Sequence, residues 1–492
     1  MGRPGVSAGA PRFASRSRPA PAAAWAAGLA LAVLTLLAPG RALARVPEAA
    51  RDTLLDALER RTFQWFWDVT PPSTGLVPDR WPAKSFSSVA AIGFGLAADA
   101  IGAERGWVTR GEARGRVQAA LEFLWDTPQG PEPRGRAGFR GFFYHFLDPG
   151  TAERFQTVEL STIDTALLMA GVLFVQSYFD RTDPAETEIR ALADSLYRRV
   201  DWTYFCTDTR GLTMSWRPEP DRLFSPARWT GLDESIVLHV LALGSPTHAA
   251  PPAIWAHYTS GYRWAEFEGE SFYQFAPLFG HQYSQSWIDF RGLADDSTAA
   301  RGIDYFENAR RAARAQRRYA IDDPAGWKDY GADVWGLTAC DGPTDTTAEL
   351  LGRMRRLHSY WARGAAAADV RDDGTIAPTA AASSIAYAPA AVESTLAALV
   401  GRYGEHVFNR YGFVDAFNPS LPDSFPVHSG SVVPGLGWFD HDQLGIDQGP
   451  ILLMIENERS GLVWRTLQRN PYVVQGLCRA GFHGGWLDGR CR

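Results

Sequence analysis

The chain has 492 residues, 46% of them hydrophobic and 21% charged, with 18 Trp, 16 Tyr and 27 Phe. That mixture is too apolar and too aromatic for a disordered chain, and it carries no collagen-like or low-complexity signature. Of 49 basic residues only Lys84 and Lys328 are lysines, so no Gly-Lys dipeptide exists and a phosphate-cradling P-loop is excluded. No cofactor is implied.

Residues 1–44 hold five arginines (Arg3, Arg12, Arg16, Arg18, Arg41) and no acidic residue. An apolar run from Ala22 to Ala38 follows four of them, and Ala42-Leu43-Ala44 completes the basic, apolar and small-residue parts of a secretory signal. The run falls short of the roughly 20 residues that span a bilayer. The expectation is a signal peptide over 1–44 and a mature chain over 45–492, periplasmic or secreted, with no membrane contact after the signal is removed; an uncleaved membrane anchor is the alternative. Taking five positive charges from the net −6 leaves −11 for residues 45–492, which gives no general attraction to nucleic acid or anionic lipid. The four cysteines are scattered without a Cys-x-x-Cys. Cys478 with Cys491 is the first pair to expect in an oxidising compartment, four unpaired thiols being the alternative.

From residue 48 the apolar period is helical. Steps of three and four predict helices over 48–68, 86–103, 111–126, 158–179, 185–204 and 232–244. They continue over 297–319, 344–363, 384–402 and 446–458, with shorter candidates at 251–261 and 272–288. Alternating strands reduce to Gly211–Trp216 and Val427–Val433, read as small hairpins. The segments 158–179 and 444–454 are apolar nearly all round and so must be buried on every side, whereas 299–318 is one-sided. About six inner and six outer helices in alternation predict an all-α fold, an (α/α)6 toroid of about twelve helices with long aromatic-rich loops. It is expected as a single domain over 45–492, and a two-layer helical solenoid is the alternative.

Carboxylates interrupt the apolar helices at a few places. Glu159 and Asp164 open one, Asp233 and Glu234 another, and Asp447 a third, while Glu393 sits inside a fourth. Asp233 and Asp447 also suit helix N-caps. Asp164, among Ile163, Leu167 and Leu168, needs a partner, because a bare carboxylate there costs several kcal/mol. Amino ends of inner helices would gather such acids in one funnel, stabilised by unsatisfied N–H groups and the helix dipole. Two acids in one partly desolvated cleft are what glycosidic bond hydrolysis needs, one protonated and one ionised. Trp65, Trp67, Trp229, Trp287, Trp327, Trp335 and Trp438 are the candidates for stacking on sugar rings, with core packing as the alternative for most.

Other motifs fail. Gly93-Phe-Gly95-Leu-Ala-Ala98 matches a loose dinucleotide fingerprint, but no strand precedes it, and small residues easing helix packing explain it better. There is no Gly-x-Ser-x-Gly elbow and no His-Glu-x-x-His helix. His428, Asp440, His441 and Asp442 lie close enough in sequence to consider a metal, but loop polarity accounts for them and no metal is assigned.

Several strings, in order, resemble the glycoamylase-like domain family. They include Thr230-Gly-Leu-Asp-Glu-Ser-Ile-Val-Leu238, Gly280-His-Gln-Tyr-Ser-Gln-Ser-Trp-Ile-Asp289, Gly331-Ala-Asp-Val-Trp-Gly-Leu337 and Gly445-Ile-Asp-Gln-Gly-Pro450. The chain is similar to glycoside hydrolase family 144, the bacterial β-1,2-glucanases, over roughly residues 50 to 470. The resemblance implies an (α/α)6 toroid that hydrolyses a neutral β-glucan, a β-1,2-linked one being expected first, with inversion at the anomeric carbon and Glu234 as the acid. It leaves the base open; among the residues Asp164 is the first choice and Asp447 the next. Glu159, Asp233, Trp229, His281, Gln282, Trp287, Asp333, Trp335, Glu393 and Trp438 are the expected substrate contacts. Glu458 stands where relatives have Tyr. A polysaccharide lyase on the same fold and a non-catalytic glycan-binding or glucan-synthesis accessory protein are the competing readings.

Overall fold

The computed structural model describes residues 48–208, 211–220 and 223–491, so the leader expected over 1–44 lies outside the described residues. The helices follow in chain order. Helix α1 (Glu48–Val69), α2 (Val89–Glu104), α3 (Arg110–Asp126), α4 (Thr162–Tyr178), α5 (Pro184–Arg199) and α6 (Ile236–Gly244) come first. Then come α7 (Ala253–Ser260), α8 (Phe279–Trp287), α9 (Tyr305–Asp322), α10 (Pro378–Ala382), α11 (Pro389–Tyr403) and α12 (Gly445–Arg459).

Even-numbered helices are buried almost throughout. Every residue of α6 and α10 is buried, and α2 and α4 expose only an end or a single position. Odd-numbered helices bury one stripe; α3, for example, buries Ala113, Val117, Ala120, Leu121 and Leu124, at helical spacing. Their starts are written in the local sequence. Thr109 and Glu112 form a reciprocal capping box on α3, Asp183 caps α5 ahead of Pro184, and Asp304 caps α9. An inner ring of six helices inside an outer ring of six, joined in alternation, is the (α/α)6 toroid.

Close approach in the inner ring depends on glycine. A Cβ on Gly93 would lie 2.3 Å from the Leu167 carbonyl oxygen, and one on Gly171 would lie 2.2 Å from the Gly93 oxygen. The small residues of the Gly93–Ala98 segment are therefore helix-packing residues. A short helical turn, Asp296–Ala299, lies between α8 and α9, and two further helices, α13 (Leu462–Leu467) and α14 (Pro471–Arg479), follow α12. Gly476 of α14 sits against the Val240 carbonyl of α6, and Cys478 is bonded to Cys491. Cys206 and Cys340 are free.

One predicted helix is absent. Residues 344–363 form the antiparallel pair Thr346–Leu350 with Arg353–Leu357, followed by strand Tyr360–Ala362 against Ala339–Asp341. Leu351 and Gly352 both have positive φ, 53° and 73°, the tight hairpin turn that matches strand twist, and Gly352 adopts it without steric penalty. Of the two predicted strand segments, Ser215–Trp216 pairs with Leu160–Ser161 and Ser431–Val433 pairs with Gly437–Phe439. Among the described residues no helix is long and apolar enough to cross a membrane.

Candidate active site

Short ladders deliver the chain to the inner helices at one end of the ring. Arg80–Trp81 pairs with Gln443–Leu444 just before α12, Ser87–Ser88 with Phe146–Leu147 before α2, and Leu160–Ser161 with Ser215–Trp216 before α4. Hydrogen bonds then run from one helix start to the next. Gly445 N donates to Asp79 O (2.8 Å) and Val89 N to His145 O (3.2 Å). The His145 ring approaches Asp164, and Trp229 Nε1 donates to Thr162 Oγ1 (2.9 Å) at the start of α4. Ser284 Oγ of α8 donates to Glu234 O (2.7 Å). Gln282 Nε2 of α8 donates to Ala380 O (2.8 Å) of α10, and Thr379 Oγ1 to Asp447 O (3.1 Å) of α12. The amino ends of the six inner helices therefore surround one site, and the positive ends of their dipoles face it.

On one side lie Glu159, Asp164, Asp233 and Glu234. Asp164 is in the first turn of α4. Ser161 caps that helix by accepting from Asp164 N (3.3 Å), and its hydroxyl donates to Asp164 Oδ2. His145 Nε2 lies 3.5 Å from Asp164 Oδ1. Glu159 is held by His145 Nδ1 (2.9 Å) and Arg217 Nη2 (2.9 Å), and its hydrogen bond from His145, outweighing desolvation, lowers its pKa to about 2. Asp233 accepts from Ser235 N (2.9 Å), Ser235 Oγ (2.6 Å) and Tyr258 Oη (3.1 Å). Burial nevertheless raises it to about 6. Glu234 is half-buried by solvent exposure, yet desolvation by its surroundings and then the charge of Asp233 push its carboxyl well above the ordinary glutamate range, with Asp164 adding to the effect.

Across the site is a second acidic group that the sequence reading largely missed. Asp447, in the first turn of α12, is raised to about 7 by burial, and its carboxyl lies close to that of Asp415. Burial and the charge of Asp447 hold Asp415 well above the usual range, and Asp415 Oδ2 accepts from Asp341 N (2.7 Å). Asp341, Asp440 and Asp442 bring ligand-type oxygens within 4.8 Å of one another. Arg80 supplies positive charge there, with Nη1 2.5 Å from Asp341 Oδ2 and 3.9 Å from Asp442 Oδ2, and Nε 3.1 Å from Asp79 Oδ2. Tyr283 lies within electrostatic reach of Asp447, Glu234 and Asp415. Tyr360, 57% exposed, faces Asp341 in antiparallel register and feels Asp447 and Asp415.

Several predicted contacts lie elsewhere. Trp287 is fully buried and stacked on Phe94 (5.1 Å between centroids). Trp335 and Trp438 are buried too, their indole N–H groups donating to Thr395 Oγ1 (2.8 Å) and Ser429 O (2.7 Å). Trp65 is also in the core, and Trp327 is tied to Asp372. His281 is buried, with Nε2 3.1 Å from Phe275 O, and Gln282 is a strut between α8 and α10. Asp333 accepts from Ser394 Oγ (2.8 Å) on α11, the outer helix that also carries Glu393. Glu458 is exposed near the carboxyl end of α12, about 16 Å along the helix from Asp447. Trp335, Trp438, His281 and Gln282 thus have polar groups paired within the protein. Trp229 is buried at the start of α4, beside the site.

The double helical ring is shared with solved structures. The chain belongs to the glycoamylase family, whose model matches residues 226–471. It is 27% identical over 461 residues to an exo β-1,2-glucooligosaccharide sophorohydrolase of Parabacteroides distasonis, covering 87% of this chain. The chain spans 57% of the length of that curated relative. A Bacteroides fragilis structure provisionally named a glucoamylase superposes with TM-score 0.74 at 30% identity, covering 89% of this chain and all of the other. An endo-β-1,2-glucanase from Chitinophaga pinensis, solved with sophorotriose and glucose, superposes with TM-score 0.73 at 26% identity over 89% of this chain and 99% of that one.

Proposed function

We propose that this protein hydrolyses a β-1,2-linked glucan with inversion at the anomeric carbon. Glu234 protonates the leaving oxygen and Asp164 takes a proton from the attacking water. The observation that supports this most is the setting of two neighbouring acids. Burial and Asp233 keep the Glu234 proton in place, as a general acid requires. Asp164 stands beside it in the first turn of α4, held by the Ser161 hydroxyl with the His145 ring 3.5 Å away, so its carboxyl is fixed at the site where a base is needed. The β-1,2-glucan activities named for the Parabacteroides and Chitinophaga proteins support the choice of linkage.

Asp447 is a second candidate for the base. Its closeness to Asp415 and a pKa raised to about 7 suit it to proton handling, and Tyr283 feels both it and Glu234. Azide separates the two readings. It restores turnover to whichever of Asp164→Asn and Asp447→Asn has lost the base. We also propose that the protein works in an oxidising compartment, periplasmic or outside the cell, a reading that the Cys478–Cys491 bond supports.

The test is incubation of the full chain with β-1,2-, β-1,3-, β-1,4- and α-1,4-glucans. New reducing ends are expected from the β-1,2-glucan, with Glu234→Gln lowering kcat by about 10²- to 10⁴-fold. Ultraviolet absorbance from a new carbon–carbon double bond would indicate a lyase instead. Binding without turnover, unchanged in Glu234→Gln and Asp164→Asn, would indicate a glycan-binding protein.

A further inference from the structure

The acid and base assigned above leave unused a histidine that stands between two carboxylates. His145 Nδ1 is 2.9 Å from Glu159 Oε1, and Nε2 is 3.5 Å from Asp164 Oδ1. Both ring nitrogens face anionic oxygens, and only the imidazolium carries an N–H on each side to meet them. Glu159 is fixed in turn by Arg217 (2.9 Å), so this end of the pair is anchored. The ring stacks on Phe146 with centroids 3.9 Å apart. The His145 backbone donates to Glu159 O (2.9 Å) and accepts from Val89 N (3.2 Å), which fixes the residue between the starts of α2 and α4. The side chain is nevertheless about one-third exposed, so it borders the open site and not the core.

We infer that His145 is a standing imidazolium that holds Asp164 in its ionised form and in its working orientation. It is a positioning residue, and the inference rests on the proposed assignment of Asp164 as the base. The groups facing the ring are Glu159, Asp164 and Asp79; those facing Asp164 are His145, Ser161 and Glu234. Burial favours the neutral ring, but the charge of Asp164, the hydrogen bond and charge of Glu159, and Asp79 outweigh it and lift His145 to about 9. The direction of its effect on catalysis follows. A positive charge beside a carboxylate favours its charged form, so removing the charge on His145 is expected to move the activity of the neighbouring base to higher pH.

Two measurements on the full chain test this. Nitrogen-15 NMR of the imidazole is expected to show His145 doubly protonated at pH 7.5; a neutral ring would overturn the inference whatever the substrate. In the pH profile of kcat/KM on β-1,2-glucan, His145→Gln is expected to move the acid limb upward by about one to three pH units, the effect of one adjacent opposite charge. His145→Arg, which keeps a positive charge, is expected to return the limb toward the wild-type position. A purely structural histidine would lower kcat at all pH values and leave the limb in place, which would overturn the inference. If His145→Gln does not fold, the NMR result on the wild-type protein decides. Failure of the wild-type protein to cleave β-1,2-glucan would refute the proposed function and leave the NMR test of the ring intact.

Discussion

Glu234 and Glu59 are both acids with raised pKa values, at opposite ends of the inner ring's neighbourhood, and they do different things. Glu234 borders the site, where a held proton is useful. Glu59, on α1, is nearly fully buried beside Glu456 of α12, with Arg105 Nε 3.6 Å and Arg459 Nη1 3.5 Å away. Desolvation and then Glu456 raise it to about 8, against the pull of the two arginines. A folded-state pKa above the unfolded one gives a contribution that is complete below about 4.5 and lost as pH rises through about 8. Glu59→Gln is therefore expected to flatten the decline of Tm between about pH 4.5 and about pH 8, and a variant with the wild-type slope would refute this. At this scale the sequence was informative where a carboxylate interrupts an apolar run, as at Asp164 and Asp447. The same reasoning applies to Asp415, inside Phe413-Val-Asp-Ala-Phe417, which is buried and close to Asp447. His145 was not legible. Its partners are 14 and 19 residues away, across a loop whose path only the fold determines.

Among the elements, the long inner helices α2, α4 and α12 were legible, because burial on every side leaves a nearly unbroken apolar composition, whereas the inner helix α10, five residues long, is too short to show a period and was not predicted. The contact between α2 and α4 rests on backbone approach at Gly93 and Gly171. Gly171→Ala puts a methyl group against the Gly93 backbone, where no side chain can move aside. It is expected to destabilise the fold by about 1–3 kcal/mol, read from chemical denaturation, and a neutral result would show that the two helices can separate at little cost. The segment 344–363 was misread because its Leu and Met spacing fits a helical period. Leu350-Leu351-Gly352-Arg353 turns the chain back instead, and Met354 is 68% exposed. Helical period in a half-exposed hairpin is coincidence; the Leu-Gly turn carried the relevant information.

For the whole molecule, alternation of buried and one-sided helices left a toroid or a two-layer solenoid, and the hydrogen bonds between inner helices show how the toroid makes one site. The closing order of the loops was not legible, since it depends on contacts such as Arg80 with Asp341, 261 residues apart. Outside the two rings, α14 is fastened to α6 by packing at Gly476 and to the chain end by the Cys478–Cys491 bond. That bond closes a loop of sequence separation 13. Replacing both cysteines with serine is expected to cost about 3 kcal/mol, with a matching fall in Tm, by releasing chain entropy in the unfolded state. An unchanged Tm would mean that α14 is held by packing alone.

The central claim is an inverting pair of carboxylates at the amino ends of the inner helices. Proton NMR of the first products released from β-1,2-glucan tests it most directly. The α-anomer of the new reducing end is expected to appear first and then mutarotate, and Glu234→Gln is expected to abolish the signal. First appearance of the β-anomer, or release undiminished in Glu234→Gln, would contradict the account.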